Sequence, residues 1–208
     1  MSQDHALLIK DSLKYSVTKI IPGVIGLLAV IIFIRMIGVE EYGKYSVQLS
    51  FLMACSAFTV GWLNQSTLRY YSKYQNDQQL PQIFFIGLVF SLLLGSLILV
   101  IGSLVTVHNQ KFPLISIGLG LFLALCFFQF LSAVLQSQLR PNAIILVTVL
   151  QSFLGVVLPL MLLLVLGLNH KYLLLGLAGS YIALPLVFFA FNIGRFQNIL
   201  ANCEWQQT

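Results

Sequence analysis

Apolar residues run along this chain in six long blocks, at about 17–37, 45–63, 83–107, 114–134, 143–166 and 172–191, with charged and polar residues gathered between them. Each block is apolar on every side. That differs from the single apolar stripe of a surface helix and from the ten-residue in-and-out alternation of a membrane β-strand. About 20 residues at a rise of 1.5 Å cross the roughly 30 Å hydrocarbon core, where a helix satisfies its own backbone groups. The pattern predicts an all-α integral membrane protein, a single bundle of six transmembrane helices over residues 1–208.

The breaks carry the punctuation of tight turns: Gly38 and Gly43 after the first helix, Pro81, Pro113 and Pro141 before the third, fourth and fifth, and Gly167 after the fifth. Most connections are therefore expected to be short hairpins. The exception is the polar stretch over 64–82, which is expected to prolong the second helix beyond the membrane before the chain turns.

Composition closes off other classes. Of 208 residues, 59% are hydrophobic and 8% charged, against roughly 25% charged in soluble domains, and the mean hydropathy is +0.94. A water-soluble fold and a disordered chain are both excluded. Cys55, Cys126 and Cys203 are too few and scattered for a disulfide framework and read as small core residues. The opening MSQDHALLIKDSLKYS is polar and charged, and the apolar run after it is too long for a signal-peptide core, so the first span is expected to stay in the membrane.

Basic residues lie at the membrane boundaries. Assigning alternate loops to alternate sides puts Lys10, Lys14, Lys19, Arg69, Lys73, Arg140 and Arg195 on the N-terminal side and Arg35, Lys44, Lys111 and Lys171 on the other. The positive-inside rule then directs both termini of this multi-pass chain to the cytoplasm. Because the net charge of +5 is dispersed rather than gathered in a stripe, no nucleic-acid partner is expected.

Catalytic chemistry is not indicated. His5, His108 and His170 fall in the tail or loops, and none of Asp4, Asp11, Glu40, Glu41, Asp77 and Glu204 lies deep in a span. That placement argues against an enzyme and a metal site, and no P-loop is present, so the chain is not expected to hydrolyse ATP or to hold a cofactor. A third, weaker reading is a transferase built on the adjacent acids Glu40 and Glu41.

Lys19 and Arg35 fall within the first span, where a charge costs about 2.5–3.5 kcal/mol. Either their long side chains reach the headgroups from the helix ends, or they line a cationic cavity for anionic cargo, with Arg well matched to phosphate. Gln65, Arg69 and Lys73 recur every four residues as one stripe among Tyr70, Tyr71 and Tyr74; this is an interfacial belt or a place where a phosphate headgroup enters. Asn64 opens a weak N-x-S sequon there.

Gln129, Ser132 and Gln136, and Thr148, Gln151 and Ser152, are mid-span polar groups for interhelical hydrogen bonds or for a hydrophilic cavity. Gly23, Gly26, Gly118, Gly120, Gly176, Gly179 and Ser180 allow close helix approach, and Pro22, Pro159 and Pro185 are expected to weaken or kink their helices.

Residues 12–71 resemble the start of a polysaccharide-biosynthesis transporter of the O-antigen flippase (Wzx) type. The likeness rests on a basic polar lead-in, a long first span ending in a basic residue, the hinge Ile37-Gly38-x-x-x-Tyr42-Gly43, and a second span ending in Asn64 and Arg69. The later Gln138-Leu139-Arg140-Pro141 turn is similar but less specific. The resemblance implies the multidrug/oligosaccharidyl-lipid/polysaccharide exporter superfamily, whose MATE-like fold has two six-helix lobes around a central cavity. This chain has the length of one lobe.

The same resemblance implies transport of an oligosaccharide linked to undecaprenyl pyrophosphate across the bacterial inner membrane by alternating access. It implies substrate contacts at Lys19, Arg35, Arg69 and Arg140, with Asn64 and Gln65 as hydrogen-bond partners. A lone lobe lacks an opposite cavity wall, so a second lobe or a homodimer partner is expected, with a polysaccharide polymerase or glycosyltransferases as neighbours. The alternative of a different class is a non-catalytic membrane scaffold for polysaccharide assembly enzymes.

Overall fold

The computed structural model describes residues 2–71, 80–106, 115–137 and 141–186, and the secondary structure among them is helical. Helix α1 spans Ser2–Tyr70, α2 Leu80–Thr106, α3 Ile115–Ser137 and α4 Pro141–Leu166; α5 is described over 170–186. Helices α1 to α4 are long and apolar enough to cross a membrane, and the chain is an all-α membrane protein. The expected six separate spans are not reproduced as such. The first two are one element, and the expected sixth extends past the described residues.

The reason lies in one residue. The apolar part of α1, Lys19–Tyr70, has 52 residues; straight, it would be about 78 Å long, more than twice the hydrocarbon thickness. It breaks at Gly38, where φ is 84° and ψ 164°, a backbone region that only glycine enters without strain. Ala29 and Phe33 before the break and Tyr42, Tyr45 and Met53 after it line one cleft, so the two halves fold back on each other. The predicted first turn is therefore present but contains no loop, and Gly43 is already helical.

Helix α1 packs on α2, α3 and α4, and its buried Phe33, Leu52 and Val60 share a core with Phe122 of α3, Leu163 of α4 and Leu174 of α5. Association in lipid depends on close van der Waals fit, and glycine supplies it at three places. A Cβ on Gly95 of α2 would overlap the Phe122 ring, one on Gly87 would come 2.9 Å from Leu63 Cδ1, and one on Gly176 of α5 would overlap the Pro159 backbone of α4.

Gly176 was expected to do this. Gly23, Gly26, Gly118 and Gly120 were expected to and do not: a Cβ on any of them meets nothing within 4 Å. Helices α1 and α4 continue through Pro22 and Pro159. Gly167, at φ 116°, ends α4 with its N–H donating to Leu163 O at 3.2 Å. Asn169 Oδ1 then accepts from Lys171 N–H at 3.1 Å and caps α5. Cys55 and Cys126 are buried and free, as expected of core residues; Cys203 lies outside the described residues.

Candidate functional site

The cationic positions singled out in the sequence lie on the surface of α1, at different heights. Lys19, Arg35 and Arg69 are exposed, and none makes an ion pair among the described residues. Along the helix, Arg35 is one turn from the break at Gly38. Lys19 lies about 28 Å from the break on one arm and Arg69 about 46 Å on the other. Lys19 and Arg35 are sixteen residues apart, so they point to directions about 160° apart around the axis. The structure therefore does not gather these three cations into one cluster.

Gln65 and Arg69 do share an exposed face, one turn apart. Asn64 turns inward, with its Oδ1 buried and without a hydrogen-bond partner among the described residues. Helix α1 runs on to Tyr70, in accord with the expected prolongation of the second span; Lys73 and Arg140 lie outside the described residues.

The mid-span polar groups mostly tie helices together. Gln129 Nε2 donates to Ser56 Oγ at 3.2 Å between α3 and α1, and Gln151 Nε2 donates to Ser180 Oγ at 2.9 Å between α4 and α5. Thr148 and Ser152 donate to carbonyls of their own helix, Ile144 O at 2.8 Å and Thr148 O at 2.7 Å. Gln136 is exposed. Ser132 Oγ and Gln151 Oε1 are buried without a partner among the described residues.

Two features were not foreseen. The first is a charged clasp at the α1 turn. Lys44 Nζ lies 2.9 Å from Glu40 Oε1 and 2.8 Å from Glu41 Oε1. His170 at the start of α5 places Nδ1 2.6 Å from Glu41 Oε2 and donates its backbone N–H to the same oxygen at 3.3 Å.

This turn lies between the apolar blocks, beside water. There Lys44, and after it His170, hold the Glu41 carboxyl down at about 2 from the usual 4.5. The adjacent acids considered for a transferase are thus engaged by Lys44 and His170. Loop alternation had put Lys44 and Lys171 on one side of the membrane, and that was the available signal for the pairing.

The second feature is a cleft of about 270 Å³ between both arms of α1, α4 and α5. Its polar lining is Tyr42, Tyr45, Gln151, Ser152 and Tyr181, its remaining walls are apolar, and among the described residues no lining residue is charged. Of the mid-span residues singled out in the sequence, Gln151 and Ser152 reach it. Among the described residues no group of three or more His, Cys, Asp or Glu side chains is arranged to hold a metal ion.

No curated protein and no solved structure matches the chain. A family model described as polysaccharide biosynthesis protein matches residues 8–203. With apolar helices along the described residues and a match that covers almost all of the sequence, the chain belongs to the polysaccharide biosynthesis protein family.

Proposed function

We propose that the chain is a six-span lobe of an O-antigen (Wzx-type) flippase. Together with a second lobe or another copy of itself, it moves an undecaprenyl-pyrophosphate-linked oligosaccharide from the cytoplasmic to the outer leaflet of the bacterial inner membrane. On this reading the two arms of α1 are the first two spans and α5 belongs to the sixth. Both termini are cytoplasmic, and the turns at Gly38 and Gly167 face outward. The lobe does not alter its cargo covalently.

The observation that supports this most is the exposure of cations on α1. Its most apolar window is only 11% buried, against 39% for that of α3, and α1 carries Lys19, Arg35 and, at the far end of its better-packed second arm, Arg69 on its surface. Charges on a membrane helix are costly when they face lipid and favour an aqueous passage or an anionic partner. Arg35 near the outer turn and Arg69 at the opposite end would meet a pyrophosphate at successive stages of its path rather than together.

Complementation tests the reading. In cells lacking their own flippase, the chain co-expressed with a partner lobe is expected to restore surface polysaccharide, and Arg35→Gln or Arg69→Gln to lower it at least about tenfold, the scale of one lost charge-assisted contact. Inserted, stable protein that restores nothing would end the transport reading. Restoration indifferent to both arginines would favour the scaffold, which needs only its loop surfaces.

A further inference from the structure

The cleft between α1, α4 and α5 places uncharged polar groups against an apolar wall. Gln151 is 7% exposed. Its Nε2 is committed to Ser180 Oγ, while its Oε1 has no partner among the described residues. Tyr42 and Tyr45 stand side by side, ring centroids 5.7 Å apart, and Tyr181 closes the same space. We infer that this cleft is a binding site for a neutral, hydroxyl-bearing group about the size of a sugar ring, whose hydroxyls donate to Gln151 and exchange hydrogen bonds with the tyrosines.

The lining decides among occupants. A phosphate would be taken out of water into a space with no lining cation among the described residues, at a large desolvation cost. The nearby charges Glu40, Glu41, Lys44 and His170 sit at the turn and are paired with one another. An alkyl chain would offer nothing to the tyrosine hydroxyls and the amide that line the cleft. Water would satisfy the polar groups but gain nothing from the apolar lining residues Ala29, Phe33 and Leu49.

A sugar ring offers both a rim of hydroxyls and C–H faces that lie well on tyrosine. The volume falls just under the roughly 300–1,000 Å³ of sites for drug-sized ligands, which suits a single ring. Naming the group a sugar rests on the flippase reading; its neutral, hydroxyl-bearing character rests on the cleft alone. The pyrophosphate would stay with the cations on the α1 surface while one sugar is seated within the lobe.

Binding can be measured without transport. The full chain is placed in nanodiscs of phosphatidylethanolamine and phosphatidylglycerol, and saturation-transfer NMR is recorded with methyl glycosides of glucose, galactose and N-acetylglucosamine. Inorganic phosphate and a short polyprenol serve as competitors. At least one glycoside is expected to bind saturably and to be displaced by neither competitor.

Gly26→Leu is the main variant, because Gly26 lines the cleft and a Cβ there meets nothing within 4 Å, so the side chain starts in open space; an unchanged Tm checks that packing is kept. It and Gln151→Leu are each expected to weaken Kd about tenfold or more. Tyr45→Phe, which removes only a hydroxyl, is expected to weaken it less. Absence of saturable binding, displacement by the polyprenol, or binding unchanged in Gly26→Leu would each overturn the assignment. A chain that supports transport but binds no glycoside refutes the cleft and leaves the flippase reading standing; glycoside binding without transport does the reverse.

Discussion

Replacing Gly38 by alanine isolates the backbone term that folds α1 back on itself. At φ 84° and ψ 164° a residue with a Cβ is strained by about 1–3 kcal/mol. No side-chain clash adds to this, because the new Cβ would meet nothing within 4 Å. Gly43, five residues on, is the internal control: it is helical and equally uncrowded, so Gly43→Ala should be neutral or stabilising by up to about 1 kcal/mol. On the scaling of globular chains of this size, where 1 kcal/mol shifts Tm by about 2–4 °C, Gly38→Ala should melt roughly 2–12 °C below the parent. Thermal unfolding of the purified chains in one detergent, followed by tryptophan fluorescence, reads both. If Gly38→Ala melts with the parent, the break is not built on a glycine-only conformation and the fold-back of the two arms loses its basis.

Two other expectations follow from the packing and the turn. Gly176→Leu should destabilise the α4–α5 contact by about 1–3 kcal/mol, because its side chain must displace the Pro159 backbone, whereas Gly118→Ala should not; the fraction of chain recovered monodisperse after heating separates them. The Glu41 carboxyl is held at about 2 rather than 4.5, so its contribution is fully present above about pH 4.5 and is lost as the pH falls toward 2. Tm measured from pH 7 to pH 3 should therefore drop less in Glu41→Gln than in the parent over the acid end, and identical slopes would show that the clasp contributes nothing.

What was legible in the chain follows from what lipid demands. Length and apolarity alone mark the helices, since a backbone in hydrocarbon has few alternatives. The expected limits 83–107, 114–134 and 143–166 lie within a few residues of α2, α3 and α4. Gly38 was legible as a break but not as a single-residue break, because that depends on a φ value no composition reports. Helix contacts were harder still. Gly23 and Gly118 look like packing residues as much as Gly95 and Gly176 do, but a glycine allows approach without saying whether a neighbour stands opposite. Gln151 was visible as a polar residue in mid-span; that one end of its amide would be held by Ser180 and the other left, among the described residues, without a partner beside a cleft depends on the arrangement of α4 and α5.

On the proposed flippase reading, the separation of charge from neutral polarity bears on how a single lobe would contribute to transport. The cations of α1 lie on its surface, at heights spread over tens of ångströms and in different directions, while the cleft has no charged residue among its described lining. A group carrying two phosphates is therefore not expected to pass through the interior of this lobe. It would move along the outside of α1, where each arginine needs water or an opposing wall to escape the cost of facing lipid. The lobe alone leaves that side of α1 open, so the reading requires a second body over it. Crosslinking from single cysteines at positions 28 and 32 offers the direct check: Leu28 and Ile32 are exposed on the same arm as Arg35, and they should join the chain to a partner lobe or a second copy in the membrane. Cysteines there that react only with lipid-soluble reagents and never crosslink would leave Arg35 against acyl chains and remove the passage.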